Sequence, residues 1–236
     1  MEHDLQKLTL GLTPESSCNY LAEESERLLV VHPKEQLSLP VYQQLMNQGF
    51  RRGGSDAYRP HCEHCQACQS IRINVNEFIP SKSQKRVINK GKDLTFKWVA
   101  SPSSDYFELY SDYITQRHST GSMYPPKIEA LETFTQCDWL EIYFLESYLD
   151  DELISVAVCD VLENGLSAVY TFFSPNYEKR SLGRFNILKQ IEHCKALGFK
   201  YLYLGFQIDA CDAMNYKKQY LPNERYIGNQ WIKYKK

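Results

Sequence analysis

WLEIYFLESYL-DD-ELISVAVCDVLE-NG-LSAVYTFF, residues 139–173, is the stretch that decides the fold of this chain. Apolar and polar residues alternate on both sides of two turn signals, Asp150-Asp151 and Asn164-Gly165. Alternation with a period of two is typical of half-buried strands, and Asn-Gly is a hairpin turn sequence. The stretch therefore predicts three antiparallel strands, at 139–149, 153–161 and 167–173.

The sequence after this meander predicts a helix that begins at Ser181 and places Phe185, Leu188 and Ile191 on one face. A strand, a short helix and a last strand follow. The predicted bounds are 181–198 for the helix, 200–206 for the strand, 211–220 for the short helix and 225–232 for the last strand. This is the element order of the GNAT acyltransferase fold. We expect an α/β (α+β) protein with a GNAT-like acyltransferase domain over residues 101–236 and an N-terminal cysteine-bearing module over residues 1–100.

Composition limits the class of protein. The 236 residues are 43% apolar and 24% charged, with a net charge of -2, so nothing in the bulk charge favours nucleic acid. No apolar run reaches the roughly 20 residues of a membrane span. The start, Met1-Glu2-His3-Asp4, has no apolar signal core. We expect a cytoplasmic protein without membrane contact, whose eight cysteines are thiols or ligands.

Residues 58–68 read YRPHCEHCQAC and concentrate the metal-binding chemistry. Cys62, Cys65 and Cys68 lack the separated second pair of a zinc ribbon and are nearer to an iron–sulfur run, for which Cys18 is the natural fourth ligand. His61 or His64 is the alternative partner in a zinc site. Free thiols without metal are the third possibility.

A basic helix is predicted at 82–90, because Ser81 and Gln84 have the spacing of a capping box. The helix and the residues after it carry five cations within eleven positions: Lys82, Lys85, Arg86, Lys90 and Lys92. A run of this kind is either a solvated face or a phosphate contact.

Arg180-Ser181-Leu182-Gly183-Arg184-Phe185 is similar to the Arg-x-x-Gly-x-Gly/Ala loop with which GNAT acetyltransferases hold the pyrophosphate of acetyl-CoA. Backbone N–H groups at a helix N-terminus suit such an anion. Phe185 departs from the pattern, because a bulky ring stands where backbone should approach phosphate. An acetyl-CoA-dependent N-acetyltransferase therefore remains an alternative function, and a plain strand–turn–helix connection remains an alternative for the loop.

Several segments together resemble the bacterial aspartate/glutamate leucyltransferases of the N-end rule pathway, which are relatives of eukaryotic arginyltransferases. Two positions depart from that family: Phe206-Gln207 replaces an aromatic pair, and Ala213 replaces a basic residue. The segments that carry the resemblance are 18–21 (CNYL), 49–52 (GFRR), 58–62 (YRPHC) with Cys65 and Cys68, 80–86 (PSKSQKR), 123–126 (MYPP), 166–173 (LSAVYTFF), 180–183 (RSLG), 201–205 (YLYLG) and 214–217 (MNYK).

The resemblance implies a reaction in which the aminoacyl group of Leu-tRNA, with Arg-tRNA as the second donor, passes to the α-amine of a protein that begins with Asp or Glu. No cofactor is required, and DNA is not a partner. Eukaryotic relatives are associated with iron–sulfur binding through N-terminal cysteines. A metal-stabilised RNA-binding module without enzyme activity is the non-enzymatic alternative.

The reaction needs a neutral amine, donors for an oxyanion and a proton for the leaving ribose oxygen. The GNAT likeness directs attention to the backbone of the splayed strands around Gly205. Asp160 is a candidate base or a turn-capping residue. Tyr170 and Tyr203 are candidate proton donors or core residues.

A cation is needed for the carboxylate of the acceptor's first residue. Arg59 is the first choice, since a proline-braced turn would fix its direction, and Lys217 is the second. Tyr124, Arg180 and Gly183 complete the predicted substrate-binding set. Under the family resemblance, Lys82, Lys85 and Arg86 become tRNA contacts.

Overall fold

The first hundred residues supply eight strands and two helices within the described part of the chain. The structure, a computed structural model, describes residues 8–235, so the expectation drawn from Met1–Asp4 lies outside the described residues. The strands are β1 (Leu10–Leu12), β2 (Ser16–Ser17), β3 (Ser25–Glu26), β4 (Leu28–Val31), β5 (Arg51–Gly53), β6 (Asp56–Pro60), β7 (Gln69–Asn74) and β8 (Thr95–Val99), and the helices are α1 (Leu39–Asn47) and α2 (Lys82–Lys90).

The remaining residues begin with helices and continue with the predicted meander. The helices are α3 (Tyr106–Arg117), α4 (Ile128–Thr135), α5 (Leu182–Ala196) and α6 (Asp212–Asn215), and the strands are β9 (Ile142–Leu149), β10 (Glu152–Leu162), β11 (Gly165–Phe173), β12 (Tyr201–Gln207), β13 (Asn223–Ile227) and β14 (Gln230–Tyr234). The meander, the following helix and strand β12 are confirmed within a few residues of their predicted bounds. The capping box at Ser81 and Gln84 is confirmed as well.

Eight strands form the large sheet, in the order β14-β13-β7-β12-β11-β10-β9-β8. Strand β12 runs parallel to β11 after the α5 crossover and antiparallel to β7 on its other side. A second sheet, in the order β1-β4-β6-β5, comes entirely from the first sixty residues. Strands β7 and β8 join the large sheet, so this sheet draws on both sides of the predicted boundary at residue 100. The division into two domains stays a prediction.

Helices cover both faces of the large sheet. Helix α5 lies on one face, where Phe185, Leu188 and Ile191 are buried against strands β7, β11 and β12, as the helical spacing predicted. The other face packs against α3 and α4 beside the meander and against α1 beside β12. The fold is therefore the mixed α/β, GNAT-like architecture that the element order predicted.

The prediction of one last strand at 225–232 is wrong. The chain forms a hairpin there, with β13 and β14 paired from Asn223↔Tyr234 to Ile227↔Gln230. Gly228 and Asn229 both have positive φ, 57° and 62°, which is the conformation of a type I′ turn. The Gly-Asn pair is the sequence signal for this turn.

Among residues 8–235, no helix combines the length and the apolar character that crossing a membrane would need.

Candidate active site

A gap opens between strands β11 and β12 near the middle of the large sheet. The two strands pair only over their first residues, from Gly165↔Tyr201 to Ser167↔Tyr203. Pairing of β12 with β7 is also interrupted, between Tyr203 and Phe206. Gly205 lies in this interruption with a φ of +75°. Beyond Ser167 and Tyr203 the two strands no longer pair with each other, so the sheet is open between them.

The guanidinium of Arg51 lies in this gap. Its Nη2 donates a hydrogen bond to the Val169 carbonyl of β11 at 3.0 Å. On the β12 side, a Cβ built on Gly205 would lie 2.8 Å from Nη1 of Arg51. The side chain also lies over the Phe206 ring, with Cζ 5.9 Å from its centroid. Arg51 thus bridges the two diverging strands.

Strand β5 separates two neighbouring arginines, because successive side chains of a strand point to opposite faces. Arg51 is half-buried at the gap, while Arg52 is buried in the core. Arg52 pairs with Asp160 at 2.8 Å, and both side chains are 0% exposed. It also donates to the carbonyls of Thr133 and Phe134 at the end of helix α4.

Lys217 provides a second cation behind the gap. It is only 6% exposed, and its Nζ donates to the Phe206 carbonyl at 2.6 Å. Burial, followed by the positive charge of Arg51, lowers the pKa of Lys217 to about 7. Lys217, predicted to bind substrate, therefore holds the backbone of β12 at the gap.

A cavity of about 560 Å³ opens beside Phe206, within the size range of ligand pockets. Its walls come from the N-terminal segment, from strand β6 and the cysteine stretch after it, and from the β13–β14 turn. The aromatic and charged side chains that line it are Tyr20, Glu26, Tyr58, Arg59, His61, Phe206 and Tyr226.

Arg59 lines the cavity, as a substrate-binding role requires, but its predicted setting in a turn is wrong. It lies within strand β6, paired with Leu29. Its Nη1 donates to the Gln48 carbonyl at 3.0 Å, and its guanidinium lies over the Phe50 ring. Strand pairing and this stacking hold the side chain on the cavity wall, away from β11.

The four predicted metal ligands, Cys18, Cys62, Cys65 and Cys68, all line the same cavity. Burial, followed by the neighbouring thiols, raises the pKa of Cys68 to about 12. Thiols suit zinc or an iron–sulfur cluster chemically. Among residues 8–235, no three His, Cys, Asp or Glu side chains form a group that could hold a metal ion as they stand, and metal binding by these cysteines stays a prediction. His64 points to solvent with its side chain 80% exposed.

Asp160 lies where a base could not reach a substrate. Arg52 donates to one carboxylate oxygen, and the Tyr42 hydroxyl donates to the other at 3.2 Å. Complete burial raises the pKa of Asp160, and the ion pair with Arg52 opposes that shift. Because the carboxylate is enclosed and engaged, the geometry contradicts both the base and the turn-capping interpretations and makes Asp160 a partner for Arg52.

Tyr170 and Tyr203 also lie in the core rather than at the gap. The Tyr170 ring stacks on Phe134 at 4.4 Å between centroids, next to helix α3. Tyr203 donates to the Asn47 side chain at 3.3 Å and packs against helix α1. Burial raises the pKa of both hydroxyls. Of the four predicted catalytic residues, only Gly205 lies at the gap.

The predicted pyrophosphate loop does not join the cavity. Arg180 is bound bidentately by Asp93, with both N–O distances 2.8 Å. Gly183 has room for a side chain, since the nearest atom to a built Cβ is on Phe173 at 3.7 Å. Phe185 fills the core where its ring covers Gly91. Because Asp93 engages Arg180 and Phe185 fills the core, this arrangement argues against the acetyl-CoA alternative. Tyr124 lies outside the cavity and is 46% exposed.

Helix α2 presents its cations to solvent. Lys82, Lys85 and Arg86 are exposed, while Gln84 and Val87 face the core. At the end of the helix, Lys90 donates to the Lys179 carbonyl, so the basic face continues onto the loop before α5.

Sequence reasoning missed Arg51 and the aromatic wall of Tyr20, Tyr58 and Tyr226. Arg51 appeared only within segment 49–52 (GFRR) of the family resemblance, with no role assigned to it. Strand alternation across Arg51-Arg52-Gly53 was the available signal, because it sends one arginine inward and leaves the other free.

The parallel strand pair that opens beside a cavity, within a GNAT-like sheet, fits the acyltransferase class that the element order predicted. Sequence comparison specifies the family. The profile described as "Arginine-tRNA-protein transferase, N terminus" matches residues 16–86, and the one described as "Arginine-tRNA-protein transferase, C terminus" matches residues 105–227. The chain belongs to this family and is an aminoacyl-tRNA–protein transferase, an enzyme whose substrates are an aminoacyl-tRNA and a protein N-terminus.

Relatives match over nearly the whole chain. A protein of Aeromonas salmonicida named "Aspartate/glutamate leucyltransferase" is 47% identical, covering 95% of this chain and 94% of the relative. One of Vibrio campbellii with the same name is 45% identical, covering 98% and 99%. Among solved structures, FemX has a TM-score of 0.44 at 8% identity, covering 85% of this chain and 80% of that chain. L-PGS from Bacillus licheniformis has a TM-score of 0.48 at 12% identity, covering 61% and 48%.

Proposed function

We propose that this enzyme transfers a leucyl group from Leu-tRNA to the α-amine of proteins that begin with Asp or Glu, which marks them for degradation. The acceptor and the leucyl donor are those in the names of relatives at 45–47% identity. Those names favour Leu-tRNA over Arg-tRNA, which is the second candidate donor. We place the reaction in the cytosol, where charged tRNA is available.

The observation that carries the proposal is the gap between β11 and β12, with Arg51 inside it and the cavity beside it. An ester carbonyl in this gap would face the free backbone groups around Gly205. An acceptor amine would enter from the cavity, whose aromatic and polar walls suit a peptide end.

The chemistry then needs no covalent enzyme intermediate. The neutral α-amine attacks the ester carbon, a C–N bond forms, and the C–O bond to the ribose breaks. The amine loses a proton and the ribose oxygen gains one. Because the α-amine has a pKa of about 8, a useful fraction is neutral near that pH without a strong base. Backbone N–H groups at the strand opening are suited to stabilise the oxyanion.

The acceptor stem of the tRNA would lie on the basic face of α2, with Lys82, Lys85 and Arg86 on phosphates. Counterion release makes such contacts dependent on salt. Cavity and basic face together would accommodate both substrates.

One assay tests the function. Purified chain is mixed with charged Leu-tRNA or Arg-tRNA and with otherwise identical peptides that begin with Asp, Glu or Lys. We expect leucyl transfer to the Asp and Glu peptides and none to the Lys peptide. Arginyl transfer instead of leucyl transfer would change the assigned donor from Leu-tRNA to Arg-tRNA. Transfer to the Lys peptide would refute the assignment of Asp and Glu as acceptors. A thermal shift with coenzyme A tests the alternative cofactor, for which we expect no stabilisation.

A further inference from the structure

We propose that Arg51 determines the acceptor specificity by binding the side-chain carboxylate of the first residue within the gap between β11 and β12. The inference rests on the proposed function and adds a residue to it. Lys217 would supply a second positive charge at the same place.

The first step is the position of Arg51. Its guanidinium donates to the Val169 carbonyl on one strand and occupies the space that a Cβ on Gly205 of the other strand would need. The reacting ester is expected in the same gap. In Asp or Glu, only two or three bonds separate the carboxylate carbon from the α-carbon that bears the amine. A cation that binds this carboxylate must therefore lie next to the reacting centre, and Arg51 lies in the gap where that centre is expected.

The second step is charge. Within residues 8–235, no carboxylate lies within 4.0 Å of the Arg51 guanidinium or the Lys217 ammonium. Buried arginines do have acidic partners: Arg52 has Asp160, and Arg72 has Glu224. The unbalanced charge of Arg51 therefore attracts an anionic ligand, and an anion bound there would favour the charged form of Lys217, whose pKa is otherwise lowered to about 7.

The third step is the geometry of the donors. Arg51 uses one N–H group for Val169, and its other N–H groups have no acceptor in the described part of the chain. A planar guanidinium can hold a carboxylate through two parallel hydrogen bonds, which a lysine cannot do. Lys217 is oriented by the Phe206 carbonyl and adds charge without this fork.

Arg59 is the other candidate for binding the side-chain carboxylate of the first residue. Arg59 also lacks an acidic partner in residues 8–235, but its bonds are to Gln48 and Phe50, and it has no contact with β11. Its position on the cavity wall suits contact with the peptide residues that follow the first one. We therefore assign the charge of the first side chain to Arg51 rather than to Arg59.

The test measures leucyl transfer from Leu-tRNA to matched peptides that begin with Asp or Asn, with wild type, Arg51→Met, Arg51→Lys and Arg59→Met. For Arg51→Met we expect kcat/KM on the Asp peptide to fall at least thirtyfold, mainly through KM. The Asp-to-Asn preference should fall at least tenfold. Arg51→Lys should recover part of the loss, and Arg59→Met should keep the preference. Arg117→Met, a surface arginine outside the cavity, serves as the control with unchanged transfer.

A retained Asp preference in Arg51→Met refutes the inference. So does an equal loss on both peptides with a raised KM for Leu-tRNA, because the anion bound by Arg51 would then be a tRNA phosphate. If Arg51→Met does not fold, Arg51→Lys provides the test. A full wild-type Asp-to-Asn preference in Arg51→Lys would refute the role of the two parallel guanidinium hydrogen bonds. Wild type without any leucyl transfer refutes the proposed function instead, so the two failures are distinct.

Discussion

The Arg51 guanidinium lies at the opening of the large sheet in the space that a side chain at position 205 would need. A Cβ at position 205 would come within 2.8 Å of Nη1 and 3.1 Å of Cζ of Arg51. Gly205 also has a φ of +75°, which side chains other than glycine's rarely adopt. The glycine therefore allows both the interruption of β12 and the close approach of the guanidinium.

Gly205→Ala should displace Arg51 and so lower kcat/KM for the Asp peptide at least tenfold. An alanine at this positive φ strains the folded state and should lower the free energy of unfolding by roughly 1–2 kcal/mol. Gly198→Ala is a matched control, since Gly198 has a φ of +72° with no atom within 4 Å of a built Cβ. Transfer kinetics and thermal unfolding of both variants separate the two effects. Equal kinetics in the two variants would show that contact with Arg51 does not matter.

Asp160→Asn should destabilise the protein but leave the turnover of the folded enzyme within a few-fold of wild type. Loss of one partner from a fully buried ion pair costs about 3–5 kcal/mol. Chemical denaturation measures the stability, and kcat at low temperature measures turnover. Asp93→Asn breaks the solvent-exposed pair with Arg180 and should change both far less. A stable variant that loses more than tenfold in kcat would restore Asp160 as the base.

Lys217→Met should be more stable than wild type at neutral pH, and its advantage should shrink as the pH rises. Burial lowers the pKa of Lys217 to about 7, whereas the unfolded chain titrates near the ordinary value of 10.5. The charged form is therefore penalised only in the folded state. The penalty is complete below pH 7 and disappears as the pH rises through 10.5, with an upper limit of roughly 4–5 kcal/mol.

Denaturation of wild type and Lys217→Met at pH 6.5, 8 and 9.5 measures this trend. Lys34→Met, at an exposed position, is the control and should show no such trend. A constant difference between wild type and Lys217→Met across this range would contradict the buried, shifted lysine.

Lys82→Gln/Arg86→Gln should weaken tRNA binding and make it less dependent on salt. Each lost phosphate contact reduces the slope of log K against log salt by about 0.7–0.9. Binding of charged tRNA from low to moderate salt provides the slope, and Lys34→Gln/Lys127→Gln is a control with the same loss of charge elsewhere. An unchanged slope in the α2 variant would mean that the tRNA lies on another surface.

Cys68 should react slowly with iodoacetamide at pH 8. A pKa of about 12 leaves roughly a thousandfold less thiolate than an ordinary cysteine has, and higher nucleophilicity offsets only part of this. We expect alkylation at least tenfold slower than in the urea-unfolded chain, measured by peptide mass spectrometry. A chelator should not change the rate. Acceleration by a chelator would instead support metal ligation by the four cysteines.

The sequence by itself determined the order and type of the elements from the first meander strand to strand β12. Strand and helix periodicities there are local properties: alternation across 153–161 and the apolar face of Phe185, Leu188 and Ile191 need no distant partner. The Ser81–Gln84 capping box is equally local. The family resemblance likewise rests on short local segments spread along the chain, so it needed no tertiary structure.

Only the tertiary structure decided which polar residues meet. Arg52 and Asp160 are 108 positions apart, and burial of one is tolerable only because the other reaches it. Arg51 is far from both Val169 and Gly205 in the chain, and only the divergence of β11 and β12 brings the three together. Periodicity specifies the face on which a side chain lies, but its partner across the fold depends on sheet order and on where strand pairing stops.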